Sequence, residues 1–79
     1  MHDDQLVKRI ANALRLYGRY HENAADTESG IRDWWLGDFE PRPSIEQVGR
    51  ALDTLAAEGT FIRQPLDDGG HVWRPVSKS

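Results

Sequence analysis

One helix is specified at both ends between residues 44 and 59, and it most constrains how this chain of 79 residues can fold. Ser44 followed three residues later by Gln47 forms a capping box, in which each side chain bonds the other's free backbone N–H. Gly59 can adopt the left-handed conformation in which helices often end. The apolar residues between these signals recur at helical spacing: Ile45, Val48, Ala51, Leu52, Leu55 and Ala56. The sequence therefore predicts a helix with one buried face.

Gly49 lies inside this predicted helix, where glycine is unfavourable. In a helix interior it costs roughly 1 kcal/mol relative to alanine, because its backbone loses more freedom on folding. We therefore expect another helix to approach closely at this residue.

A β-hairpin is predicted after that helix. Residues 60–64 and 71–76 have the β-branched and aromatic composition of strands. Residues 65–70 between them, Pro-Leu-Asp-Asp-Gly-Gly, are turn formers whose glycines can take positive φ. Pro75 cannot donate a backbone hydrogen bond, so it should occupy an edge position or a strand end. Trp73 is expected to be half-buried on the sheet.

The strongest amphipathic pattern in the chain runs from Asp3 to Tyr17 or slightly beyond. Its apolar residues follow steps of four, four and three, at Leu6, Ile10, Leu14 and Tyr17. Asp3 and Asp4 would lie in the first turn, where carboxylates favour the positive end of the helix dipole. This pattern predicts the first helix of the domain.

A short second helix is predicted from Gly30 to Leu36, with Ser29 as its N-cap and Gly37 ending it in the left-handed region. Trp34 and Trp35 within it are adjacent, so their side chains point about 100° apart and cannot both be fully buried on one narrow stripe. One is expected in the core, and the other at the core edge or in an interface. We favour packing against the core for both.

The segments on either side of this second helix differ in character. The polar residues 19–29 either extend the first helix or form a loop. Residues 38–43 contain Pro41 and Pro43, whose rings restrict the backbone, so we expect a stiff connector.

The order of these elements resembles the winged helix-turn-helix superfamily. The most specific stretch is residues 44–63, where Arg-Ala-Leu-x-x-Leu-x-x-Glu-Gly shortly precedes two apolar residues and a basic one, as in that family's third helix and first wing strand. The resemblance covers residues 3–76 of one domain spanning 1–79, with 77–79 as a frayed tail. It implies an α+β fold, with three helices followed by a two-stranded β-hairpin wing and a short third strand near the connector.

The resemblance also implies a small DNA-binding or transcription-associated module whose third helix enters the major groove of double-stranded DNA. On that helix, Gln47 could pair with adenine and Arg50 with guanine. Arginines of the connector and the wing could contact phosphates. The candidate DNA-binding residues are Arg42, Ser44, Gln47, Arg50, Arg63 and Arg74.

Acidic residues on the same elements favour a second interpretation. The third helix carries Glu46 and Asp53 as well as Arg50. The wing tip carries Asp67 and Asp68, at a place where a DNA-binding protein more often has lysine or arginine. The formal net charge is −3, whereas DNA-binding domains are typically basic. The alternative is a protein–protein interaction winged helix without nucleic-acid affinity. It would bind a protein partner or a second copy through its acidic middle and an exposed tryptophan.

The basic residues cluster in the first helix. Lys8, Arg9, Arg15 and Arg19 lie mainly opposite its apolar stripe. We interpret them as a solvated face, with attraction of phosphates or of an acidic partner as the other possibility.

No pattern for catalysis, metal binding or membrane insertion stands out, so we expect a binding module that is not an enzyme and has no cofactor. The absence of cysteine excludes disulfides and thiolate chemistry. His2, His21 and His71 are too scattered for a zinc site, and no Ser–His–carboxylate arrangement can be singled out. Apolar runs fall short of the ~20 residues that cross a bilayer. The N-terminus lacks the order of a secretory signal, which favours a cytoplasmic location.

Overall fold

The computed structural model describes residues 2–76 and contains three helices followed by a two-stranded antiparallel sheet. Its elements in chain order are α1 (His2–Tyr20), a second helix that begins as α2 (Glu28–Gly30) and continues as a π-helical turn (Ile31–Trp35), α3 (Ile45–Ala57), β1 (Phe61–Pro65) and β2 (His71–Pro75). This small α+β domain has the winged-helix layout that the sequence predicts. The predicted frayed tail at 77–79 lies outside the described residues.

α1 and α3 pack side by side and run in the same direction. Their facing side chains, among them Ile10, Leu14 and Leu52, are fully buried. At one end of the interface, Gln47 on α3 contacts the first turn of α1. At the other end, the Arg15 guanidinium donates to both carboxylate oxygens of Glu58, from Nε at 2.7 Å and from Nη2 at 2.6 Å. Burial therefore joins the two helices, and polar contacts lie at both ends of their interface.

The ends of α3 confirm the sequence prediction. The Ser44 Oγ accepts a hydrogen bond from the Gln47 backbone N–H at 3.1 Å, and the Gln47 Oε1 accepts one from the Ser44 N–H at 2.9 Å. The chain leaves the helix through Gly59, whose φ is +82°. Both ends of the helix are therefore set by local sequence.

The second helix begins earlier than predicted, and its predicted caps are wrong. The N-cap is Thr27, which has extended backbone and whose Oγ1 accepts from the Gly30 N–H at 3.1 Å; Ser29 lies inside the first turn. The turn then widens, because the Leu36 N–H donates to the Ile31 carbonyl at 3.0 Å, five residues back. Gly37 does not have the predicted positive φ; among residues 2–76, only Gly59 and Gly69 do. The loop interpretation holds for most of residues 19–29, since α1 ends at residue 20.

The hairpin pairs Phe61 with Pro75 at one end and Pro65 with His71 at the other. Pro75 thus ends its strand, as predicted. Trp73 is buried more deeply than predicted, at 3% exposure, and its indole Nε1 donates to the Glu28 carboxylate at 3.3 Å.

The predicted position of the short third strand is wrong. A single bridge pairs Asp26 with Trp73 through backbone N···O distances of 3.1 and 2.8 Å. It precedes the second helix, whereas the prediction places it near the connector. Trp73 pairs with β1 on one side, and its other backbone edge is open to a second partner. The loop after α1 brings Asp26 to that edge.

Two glycines inside helices have different surroundings. A methyl group built on Gly49 would lie 3.7 Å from the nearest carboxylate oxygen of Glu28, an ordinary van der Waals distance. The close neighbour predicted for Gly49 is thus one side chain of α2, and it leaves room for alanine. A methyl group on the buried Gly18 would lie 3.0 Å from Pro75 Cβ and 3.4 Å from the Phe61 ring. Gly18 is therefore the glycine that allows close packing, between α1 and the hairpin.

We find no helix in residues 2–76 that combines the length and the apolar character needed to cross a bilayer.

We expect Gly49→Ala to raise the free energy of unfolding by up to about 1 kcal/mol, since alanine favours the helix and meets no obstacle. Gly18→Ala is the matched control. Its similar gain in helix propensity should be offset by the tight contact with Pro75, leaving it no more stable than the parent. Urea denaturation followed by circular dichroism measures both. Equal stabilisation by the two substitutions would contradict the different packing assigned to these glycines.

The pair of Arg15 and Glu58 predicts a specific pH dependence. Hydrogen bonding from Arg15 lowers the pKa of Glu58 from 4.5 to about 2. A carboxyl group whose pKa is lower in the folded than in the unfolded state stabilises the fold above its unfolded pKa, and this contribution disappears as the pH falls toward the folded value. The free energy of unfolding should therefore decrease between about pH 4.5 and about pH 2. Glu58→Gln and Arg15→Gln should both flatten this decrease in urea titrations, and an unchanged slope in both would contradict the assignment.

Candidate nucleic-acid interface

α3 presents a mixed surface on the side away from the core. Its buried residues set the orientation of the helix: Val48, Ala51, Leu52 and Leu55. At 100° per residue, Glu46, Arg50 and Asp53 fall on the opposite face, and all three are exposed. The surface that would contact DNA therefore carries one basic side chain, Arg50, between two acidic side chains.

The two residues predicted to read bases are both bonded to α1. Arg50 donates from Nη1 to the Asp3 Oδ2 and from Nη2 to the Asp4 Oδ1, the latter at 2.9 Å. Gln47 donates from Nε2 to the Asp3 Oδ1 at 2.7 Å, while its Oε1 accepts the capping bond from Ser44. We refer to Asp3, Asp4, Gln47 and Arg50 as the acid clamp.

The acid clamp is a coupled electrostatic unit at the surface. The hydrogen bond from Gln47, together with the Arg50 guanidinium, lowers the pKa of Asp3. In return, hydrogen bonds to Asp4 and Asp3 raise the pKa of Arg50. The Asp3 and Asp4 side chains are 51% and 62% exposed, and that of Arg50 is 44% exposed. The clamp therefore holds charged groups where solvent, or a ligand, can reach them.

The contact of Asp3 and Asp4 with α3 is not predicted from the sequence, where both carboxylates are assigned to the helix dipole. They precede their partners by more than forty residues. One feature of the sequence could have indicated this contact. Asp3 and Gln47 are separated by nearly the same number of residues as Arg15 and Glu58, as expected for two helices that pack in parallel.

The other residues predicted on and before α3 are also engaged. Ser44 uses its hydroxyl in the capping box. Arg42 donates from Nη2 to the Asp33 Oδ1 at 2.7 Å, an oxygen that also accepts from the Arg32 Nε at 3.0 Å. The Arg42 side chain nevertheless stays 72% exposed. This contact attaches the connector to the second helix.

The wing arginines differ from Arg42 and Arg50, because their described contacts are with neutral groups or with a histidine. Arg74 donates from Nε to the Gln64 Oε1 at 3.1 Å. Arg63 lies with Nη2 at 3.4 Å from His71 Nδ1. Within residues 2–76, neither arginine forms an ion pair with a carboxylate.

The wing tip carries the opposite charge. Asp67 and Asp68 are both exposed there, and the Asp68 Oδ1 accepts from the Gly70 N–H at 2.9 Å. The Asp68 carboxylate therefore helps to form the turn.

The structure sorts the six predicted residues into three groups with separate partners. Ser44 caps α3, and Gln47 and Arg50 on its first half contact the acids of α1. Arg42 belongs with the second helix, and Arg63 and Arg74 belong to the two strands of the wing. Within the described part of the chain, no group of His, Asp and Glu could hold a metal ion.

The adjacent tryptophans divide into one packed and one exposed. Trp35 is half-buried against the core and stacks on Tyr17, with ring centroids 4.5 Å apart. Trp34 is 80% exposed, so the prediction that both pack against the core is wrong for this residue. The cause is the geometry of one narrow helix, which turns neighbouring side chains in different directions. Trp34 borders a groove of about 490 Å³ that also includes Ala13 and Phe39.

Comparisons of the chain with known protein families, with curated proteins and with solved structures found no significant match. The winged-helix family therefore stays a prediction from the sequence pattern.

The division between the tryptophans predicts unequal stability effects. Trp35→Ala should lower the free energy of unfolding by about 2–3 kcal/mol, because it removes a ring packed against the core. Trp34→Ala should change it by less than about 1 kcal/mol, as expected for an exposed side chain. Chemical denaturation followed by far-ultraviolet circular dichroism measures both without relying on tryptophan fluorescence. Similar losses in the two variants would contradict the orientation described for the two rings.

Proposed function

We propose that this domain is a cytoplasmic, DNA-binding and transcription-associated winged helix with weak, salt-dependent affinity. The observation that carries the proposal is the pair of wing arginines, Arg63 and Arg74, whose charge no described carboxylate neutralises. Arg42 adds a guanidinium that is largely exposed despite its bond to Asp33. Cationic side chains of this kind supply the phosphate contacts on which DNA affinity depends.

The placement of α3 supports the same proposal. Recognition helices of this class contact base edges with their N-terminal residues. The capping box fixes that end of α3, and Arg50 lies on its exposed face one and a half turns into the helix. A guanidinium there has the two-pronged geometry that pairs with guanine.

The surrounding acids determine the expected strength of binding. Glu46 and Asp53 flank Arg50, so they oppose the approach of phosphates. If the three other arginines, Arg42, Arg63 and Arg74, each neutralise one phosphate, the logarithm of the binding constant should fall with the logarithm of salt concentration with a slope of about −3. This is a small number of contacts, and it predicts binding that is measurable mainly at low salt.

An amide NMR titration with a mixed-sequence DNA duplex, at low and at moderate salt, tests the proposal directly. We expect shifts concentrated at residues 44–50 and 63–74 that weaken as the salt concentration rises. The absence of shifts at high micromolar DNA and low salt would contradict general DNA binding.

Paired variants then test whether the wing supplies the affinity. The double substitution Arg63→Gln and Arg74→Gln should weaken binding about tenfold or more at low salt, and should reduce the magnitude of the salt slope by about 2. The matched control is Lys8→Gln with Arg19→Gln, which removes the same charge from exposed positions of α1. An equal loss in the control would indicate a response to net charge alone.

Trp34 favours a second candidate, a protein–protein interaction module. Exposed tryptophans often anchor protein interfaces, and this one is 80% exposed next to a groove. The partner would be another protein or a second copy of this chain. The same samples test this candidate. DNA-independent shifts of the Trp34 indole that grow with protein concentration would support self-association.

A further inference from the structure

We propose that the acid clamp is an autoinhibitory contact, in which Asp3 and Asp4 hold the two base-reading residues of α3 and lower the affinity of the domain for DNA. This inference rests on the DNA-binding function proposed above. It assigns to the first turn of α1 a role in discriminating between DNA sequences.

The hydrogen bonds of Gln47 hold its amide toward the helix cap and toward α1 in this conformation. Recognition of adenine requires both the amide oxygen and the amide nitrogen of a glutamine. The Oε1 of Gln47 accepts from the Ser44 backbone, and its Nε2 donates to Asp3. Each of these two atoms keeps one further hydrogen-bonding position, so adenine must compete with the Ser44 N–H and with Asp3 for the orientation of the amide.

Arg50 is occupied in the same way. A bidentate contact with guanine uses the fork of the guanidinium. Both terminal nitrogens of Arg50 donate to carboxylates, one to Asp3 and the other to Asp4. Guanine must therefore compete with two carboxylates for the orientation of the guanidinium, although other N–H groups of Arg50 remain available.

The clamp can open without unfolding α1. Exposed ion pairs contribute little to stability, because water and salt screen them, and the charged side chains of the clamp are between 44% and 62% exposed. The attachment of α1 depends on its buried residues, such as Ile10 and Leu14. The contact is therefore weak enough for a ligand to exchange.

The exchange should distinguish correct from incorrect DNA sites. At any site the two carboxylates repel phosphates near the start of α3, so they reduce non-specific binding. At a site with a suitably placed guanine, paired hydrogen bonds to the base replace those that Arg50 loses. Specificity is a difference between two affinities, and a repulsive element that acts most strongly on the wrong partner increases this difference.

The double substitution Asp3→Asn and Asp4→Asn tests the inference. It removes both charges while keeping side chains of similar size. We expect affinity for a mixed-sequence duplex to rise about tenfold or more at low salt, since two repulsive charges are lost and Arg50 is released. The matched control is Glu22→Lys, which changes the net charge equally at an exposed position beyond the C-terminal end of α1. It should raise the affinity by no more than about twofold, because this position lies at the end of α1 opposite to the acid clamp.

A third variant identifies the residue through which the clamp acts. Arg50→Gln, added to the Asp3→Asn and Asp4→Asn protein, should remove most of the gain in affinity. Added to the unmodified protein, whose Arg50 is already held, it should have a smaller effect. Thermal unfolding followed by circular dichroism establishes that each variant is folded before its affinity is interpreted.

The outcomes separate this inference from the proposed function. If the unmodified protein binds the duplex as tightly as Asp3→Asn with Asp4→Asn, or if Glu22→Lys gains as much, autoinhibition is overturned and DNA binding stands. If neither protein binds at low salt, the proposed function is overturned, and this inference with it. A gain confined to the clamp variant and dependent on Arg50 supports both.

Discussion

The parallel packing of α1 against α3 is the interaction on which the rest of this structure depends. Each Leu or Ile side chain that is fully buried there contributes roughly 1.5–3 kcal/mol relative to an exposed one, whereas the exposed pairs at the two ends contribute far less. The buried residues therefore decide that the helices meet, and the parallel direction decides which charges meet. One packing arrangement places Asp3 beside Gln47 and, at the same time, Arg15 beside Glu58.

The elements that could be predicted from sequence are those with complete local signals. α3 has a reciprocal cap, a regular stripe and a terminal glycine, and its bounds agree with the structure. The second helix offers two good capping residues two positions apart, Thr27 and Ser29, and propensity alone cannot choose between them. The bridge at Asp26 has no local signal, because its partner is the backbone of Trp73 far along the chain.

The sequence predicts which residues of the candidate site are exposed, but it does not predict which charged groups surround them. Helical periodicity correctly places Arg50 on the exposed face of α3. Periodicity cannot show which side chains another helix brings to that face, and here they are two carboxylates. The same reason explains the tryptophans. Spacing requires that Trp34 and Trp35 diverge, but only the position of Tyr17 in the assembled fold determines which one is covered.

The bridge between Asp26 and Trp73 also affects how the sheet meets other molecules. It covers part of the outer edge of β2, which leaves β1 as the more open edge of the hairpin. Open edges can recruit strands from other chains, and proteins commonly protect them with short length, charge and proline. β1 is five residues long, carries Arg63 and ends at Pro65. The hairpin can therefore extend into solvent while resisting the edge-to-edge association that leads to aggregation.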